Sequence, residues 1–147
     1  MKVKIKKVHP EAQLPEYQTS GGVGMDLVAV SCETKHTPTG IIVEYDTGIS
    51  IEPPPGHGVV LVPRSSLATK TTLILSNSLG IGDTDFRGSY KFQYRLLSGV
   101  GQGKKYEVGD RIGQLFILPF PKIEWEEVQE LTQTKRGTGG FGSTDSK

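Results

Sequence analysis

The sequence predicts an all-β domain, compact or barrel-like, on three observations. Nineteen glycines and nine prolines punctuate 147 residues. The runs between them are short and β-like, and no stretch carries a long helical period. "KVKIK" (2–6) alternates Val3 and Ile5 with lysines, the pattern of a strand with one buried face. "IIVEY" (41–45) and "GVVLV" (58–62) are denser apolar runs suited to more buried strands, and "IEPPPGHG" (51–58) is a loop between two strands. "SSLATK" (65–70) is the one helical candidate, a single short helix that Ser65 or Ser66 would cap. "TLILS" (72–76) and "QLFIL" (114–118) again read as buried strands, and "YKFQYRL" (90–96) alternates Tyr90, Phe92, Tyr94 and Leu96 with polar residues. Between them, "GIGDTDFRGSY" (80–90) reads as a glycine-bounded turn carrying two acids, Asp83 and Asp85.

A chain of this length suits one domain with a usable core. Residues 1–133 form that domain, and the compositional break comes at Thr134. The tail 134–147, "TKRGTGGFGSTDSK", holds four glycines, one aromatic and no aliphatic residue, so it cannot bury enough surface to fold alone. A frayed end is the plain reading of such a tail. Its order of Arg, Gly-rich hinge, Phe, Ser and Thr is more than a spacer requires.

Apolar residues at 35%, charged residues at 22% and a net charge of +1 are ordinary for a globular protein. They argue against a nucleic-acid partner bound through a broad basic field. The N-terminus has lysines but no apolar run long enough for a signal peptide or a membrane span. Cys32 is alone, so no intrachain disulfide or CxxC site exists, and the three histidines are too far apart for a local metal motif. A cytosolic protein that uses no membrane is the expectation.

Three stretches carry possible chemistry. In "VPRSSLATK" (62–70), Arg64 precedes two hydroxyls at a helix start, which together would make a phosphate-binding corner. Taken alone, they read better as a capped helix beside an exposed arginine. Gln114, inside an apolar run, is either a satisfied core amide or a ligand contact. Asp83 and Asp85 could be general base, metal ligand or turn formers. Adjacent turn acids suit a glycosidase pair poorly. Beside a phosphate corner they better fit attack of an activated water on a phosphate ester or anhydride.

Read in order, "TSGGVGMDL" (19–27), "PRSSLA" (63–68), "NSLGIGDTDFRG" (77–88), "GDRIGQL" (109–115) and "RGTGGFGST" (136–144) resemble the five ordered motifs of the trimeric dUTP pyrophosphatases. The resemblance runs from about residue 14 to residue 144. It implies a β-barrel or jelly-roll subunit with one short helix. It also implies a homotrimer with active sites formed where subunits meet, and a flexible C-terminal arm that closes over a neighbouring site. The implied reaction is hydrolysis of dUTP to dUMP and pyrophosphate, with Mg²⁺ on the triphosphate, which limits uracil in DNA and supplies dUMP. By the same resemblance Asp83 is the general base, and Asp85 has a structural role in the turn. Asn77, the backbone of Ile81, Gly82 and Asp83, and Lys91 hold the uracil edge, while Phe86 lies against the deoxyribose. Arg64, Ser65, Ser66 and Gln114 hold the phosphates, and Asp26 orders waters around Mg²⁺. Arg136, Phe141, Gly142, Ser143 and Thr144 close from the tail.

The chain departs from the pattern at four places. Gly82 replaces the usual apolar residue before the base, Phe86 a common tyrosine, Ser66 a frequent glycine and Ser89 a frequent polar or acidic residue. Extra backbone freedom at Gly82 would loosen the aim of Asp83. Two alternatives remain: a dCTP deaminase-like enzyme of the same fold, or a binding protein that uses the fold as a regulatory surface. Gln93 stands where that deaminase has its acid/base glutamate, which argues against the first. The intact catalytic set argues against loss of activity in the second.

Overall fold

The computed structural model describes residues 1–97 and 104–140. Its strands are β1 (Lys4–Lys7), β2 (Met25–Val28), β3 (Ser31–Thr37), β4 (Gly40–Asp46), β5 (Ile49–Glu52), β6 (His57–Val62), β7 (Leu73–Leu75), β8 (Gly80–Gly82), β9 (Lys91–Leu96) and β10 (Arg111–Pro119). The helix α1 spans only Leu67–Lys70. Two four-stranded sheets, ordered β2-β10-β6-β8 and β3-β4-β9-β7, enclose the core, and β1 pairs with β5 beside them. All the pairings within these sheets are antiparallel. Leu27, Val59, Leu61 and Leu115 enter the core from one sheet, and Val43, Tyr45, Phe92, Tyr94, Leu73 and Leu75 from the other. Each such side chain stabilises by roughly 1.5–3 kcal/mol on burial. Two core tyrosines keep their hydroxyls satisfied on backbone: Tyr94 donates to the Ile112 carbonyl at 2.6 Å and Tyr45 to that of Tyr106 at 2.8 Å.

The expected runs lie on strands, with instructive differences. In "TLILS", Leu73 and Leu75 are buried while Ile74 points outward, so the run alternates. In "IIVEY", Ile41 is exposed and Glu44 is buried. "KVKIK" becomes β1, but all four of its residues are exposed, and only Val3, just before it, packs against the core. The polar strand β3 carries no apolar signal. It exists as an edge, paired with β4 along all seven positions. The helix starts where expected, but Ser66 at its N-cap makes no side-chain hydrogen bond. The Ser66 carbonyl instead receives the Lys70 amide at 3.0 Å.

One departure from regular pairing shapes the molecule. β7 pairs with β9 from Leu73 opposite Leu96 to Leu75 opposite Tyr94, and the Ser76 amide extends the ladder to the Gln93 carbonyl. There the chain turns away. Ser78 takes a left-handed φ of 63°, a conformation that costs a non-glycine residue about 1–3 kcal/mol. After Leu79, Gly80–Gly82 pair with β6 in the opposite sheet as β8. The stretch read as one turn is thus a strand followed by a tighter turn, in which the Phe86 amide donates to the Asp83 carbonyl at 3.2 Å. Between β8 and the start of β9 the two sheets part, and a slot opens.

Candidate active site

The slot is a cavity of about 120 Å³ lined by Asn77, Gly80, Lys91, Phe92, Gln93 and Glu44, with Leu61 and Leu75 behind. Asn77 and Lys91, fourteen positions apart in sequence, therefore share one wall-to-wall space. Ile81, Gly82 and Asp83 do not line it. Ile81 is 66% exposed, and Asp83 sits exposed beyond the end of β8. The floor is electrostatically defined by the buried carboxylate of Glu44, a residue that the sequence did not single out. Lys91 Nζ donates to it at 3.0 Å, Lys35 Nζ at 2.9 Å and Gln93 Nε2 at 2.8 Å. Burial alone would raise the Glu44 pKa. The hydrogen bonds from Gln93, Lys35 and Lys91 outweigh it and hold the carboxyl at about 2. The pairing with Glu44 in turn raises the Lys91 pKa and keeps its ammonium charged.

A second cluster forms around Asp26, on β2. This side chain is 3% exposed and both its oxygens have partners. Gln114 Nε2 donates to Oδ1 at 2.9 Å and Arg111 to Oδ2 at 3.2 Å, while Arg64 Nε lies 3.6 Å from Oδ1. Gln114 reaches it by folding against Gly24, where a Cβ would crowd the amide at 3.2 Å. Gln114 is thus a polar side chain satisfied by a carboxylate, the first of the two readings the sequence left open. Arg111 was not singled out in "GDRIGQL", because nothing local distinguishes it from a surface arginine. Ser65 is exposed and Ser66 half-buried next to Arg64. A helix of four residues adds little dipole, so the positive character of this corner comes from the guanidiniums.

Phe86 is 41% exposed and meets Tyr90 edge-on, with ring centroids 5.3 Å apart. The turn beneath it is closed by Arg87, whose guanidinium donates to the carbonyls of Thr84 at 2.7 Å and Phe86 at 3.0 Å. Among the described residues no hydrogen bond or ion pair reaches the Asp85 side chain, and the side-chain bonds within the turn come from Arg87. Ser89 donates to Asp46 on β4. In the tail, Arg136 Nε donates to the Gly139 carbonyl at 2.9 Å, forming a local turn. Phe141, Gly142, Ser143 and Thr144 lie outside the described residues. Among the described residues no three His, Cys, Asp or Glu side chains gather to cage a metal, and no helix is long and apolar enough to cross a membrane. With both oxygens of Asp26 engaged, this donor set does not fit a direct Mg²⁺ ligand. It fits a cation carried in on phosphates.

The sequence pattern of the family described as dUTPase matches residues 10–145. The chain belongs to the dUTPase family.

Its similarity to other dUTPases is end to end. It is 41% identical over 147 residues to the deoxyuridine 5'-triphosphate nucleotidohydrolase of Hydrogenobaculum sp., spanning the whole of both chains. To that of Rickettsia akari it is 42% identical over 144 residues, 97% of this chain and 95% of the other. Among solved structures, the dUTPase of Staphylococcus bacteriophage 80alpha with dUPNHPP superposes with a TM-score of 0.79 at 21% identity, covering 97% of each chain. A mutant dUTPase of the Staphylococcus aureus phage phi11, described with a structural Mg(II) ion, gives 0.70 at 19% identity, covering 88% of this chain and 98% of that one. At such identities these two likenesses establish the fold, which is the dUTPase fold. The family membership rests on the full-length relatives.

Proposed function

We propose that Asp83 is the general base with which this dUTPase hydrolyses dUTP to dUMP and pyrophosphate. The observation that carries this reading is the layout. A base-sized slot holding Asn77 and Lys91 ends in a short strand, β8, whose next residue is an exposed carboxylate. Asp83 takes the proton of a water as that water attacks the α-phosphorus, and pyrophosphate leaves with the bridging oxygen. Asn77 and the ammonium of Lys91, held charged by Glu44, meet the polar edge of uracil. Backbone groups of Ile81 to Asp83 complete that edge when substrate enters. The narrowness of the slot disfavours the methyl group of thymine. Arg64, Ser65, Ser66 and Gln114 take the phosphate chain, with Arg111 beside them, and Asp26 holds the two guanidiniums and the amide in place. Mg²⁺ bound on the triphosphate would offset charge on the leaving pyrophosphate, and Asp26 would reach it only through water. Phe86 walls the deoxyribose. Arg136, Phe141, Gly142, Ser143 and Thr144 close from the arm 134–147 of another subunit of a homotrimer.

Exposed apolar side chains support that assembly. Trp125 is 90% exposed and Leu131 86%, on a segment that pairs with no described strand. Ile5 and Leu14 are also exposed, at an apolar pocket lined further by Val3, Met25 and Ile117.

Asp83→Asn tests the assignment, because an amide cannot take the proton. Pyrophosphate release from dUTP should fall by roughly 10² to 10⁴ while nucleotide binding persists. Near-normal turnover in Asp83→Asn, with loss in Asp85→Asn, would exchange the roles of the two acids.

A further inference from the structure

Gly82 immediately precedes Asp83 and is buried where β8 ends. A glycine there leaves the backbone that carries the base with excess freedom. Its φ is not in the left-handed region, so the backbone does not demand glycine. Space does. A Cβ built on Gly82 runs into the ring and hydroxyl of Tyr90. Tyr90 is 3% exposed, and its backbone is anchored. Its amide donates to the Ile49 carbonyl at 2.9 Å, and its carbonyl accepts from the Thr47 amide at 3.1 Å and the Thr47 hydroxyl at 2.7 Å. On the other side, Phe86 meets the same ring at an interplanar angle of 73°. One aromatic side chain thus touches both the backbone that bears Asp83 and the ring that walls the sugar.

We propose that Tyr90 is a positioning residue: its ring fills the space a side chain at position 82 would occupy, and so aims Asp83 and sets Phe86. Gly82 and Tyr90 form a matched pair in which one residue's missing bulk is the other's ring. The ring carries this role: the hydroxyl lies as near that space as the ring edge, but it has no hydrogen-bond partner among the described residues to anchor it. The inference rests on the roles given above to Asp83 and Phe86.

Four variants test it: Tyr90→Leu, Gly82→Val, the two combined, and the conservative Tyr90→Phe. The readouts are kcat for dUTP per site titrated with a non-hydrolysable dUTP analogue, KM, and the ratio of UTP to dUTP turnover. Counting sites separates mis-aimed enzyme from unfolded enzyme. Tyr90→Leu should lower kcat per site by about 10- to 100-fold, as expected for a base displaced by a fraction of an ångström, and should raise the UTP ratio. Gly82→Val should also lose activity, because its methyls meet the ring. The double variant should recover to within about tenfold of the parent, a coupling the single changes would not predict. Tyr90→Phe, which keeps the ring, should match the parent. Unchanged kcat per site in both single variants would overturn the proposal, as would a double variant no better than the worse single one. Loss in Tyr90→Phe equal to that in Tyr90→Leu would overturn it too, by transferring the role to the hydroxyl. Asp83→Asn in the same assay separates the two levels. If it stays active, the reading of the base fails; if it is dead while the Tyr90 series is flat, only this inference fails.

Discussion

At the scale of single residues, what separates the acids of this site is their neighbours. Asp26, Asp83 and Asp85 have the same carboxylate and three different surroundings. Asp26 is buried between Arg64, Arg111 and Gln114 and is committed to holding them. Asp83 is exposed beside the slot, with its carboxylate available to water. Asp85 lies two residues further into a turn that Arg87 closes. Phe86 offers the sharpest residue-level test. Its ring is apolar, partly exposed and braced on Tyr90, so a 2′-hydroxyl placed against it would lose its water without gaining a partner. Phe86→Ala should therefore raise UTP turnover relative to dUTP, and should weaken dUTP itself through the lost contact. Side-by-side kcat/KM values for the two nucleotides check this; equal losses with an unchanged ratio would place sugar selection elsewhere.

At the scale of elements, the slot depends on a strand that changes sheets. β7 and β9 stay together only as far as Ser76, after which β8 joins β6 and leaves the start of β9 open toward the cavity. Glu44 on β4 secures the open side, since its carboxylate ties Lys35 of β3 and both Lys91 and Gln93 of β9. The folded-state pKa of Glu44, about 2, is below its ordinary value of 4.5, so the ionised carboxylate stabilises the fold above pH 4.5. That contribution should disappear as the pH falls from 4.5 through about 2. Glu44→Gln should accordingly be less stable than the parent at neutral pH, and the gap should close on acidification. Urea melts of both proteins from pH 7 down to the acid limit measure it. A gap that stays constant across that range would mean the stabilisation comes from packing and not from charge.

At the scale of the whole molecule, residues 134–140 make their own local turn, and the tail supplies five of the proposed ligands. If each site takes Asp83 from one subunit and the tail from another, two inactive variants should rescue each other. One is Asp83→Ala with its tail, and the other is the chain cut before Lys135 with its Asp83. In a closed trimer with head-to-tail contacts and equal random mixing, about one site in four regains both parts. The two are unfolded and refolded together, and dUTP hydrolysis is compared with each refolded alone. Mixed trimers that remain inactive would place Asp83 and the tail of each site on one chain.

The all-β class, most of the strands, the short helix and the five motifs were legible in the sequence, because turn residues, apolar runs and motif chemistry are local properties. β3 was not, since an exposed edge strand leaves no apolar pattern and is held by its neighbour's backbone. Nor was Arg111, which becomes part of a site only when β10 brings it to Asp26, 85 positions away in the chain. Glu44 looked like a polar residue in an apolar strand; pairing across two sheet neighbours made it the floor of a cavity. Gly82 looked like a weakness beside the base until Tyr90 was found to fill its missing side chain. Motif chemistry is written in residue types a few positions apart. Which carboxylate ends buried between arginines, which stays free beside a slot, and which ring replaces an absent side chain depend on long-range strand pairing, and only the folded molecule decides them.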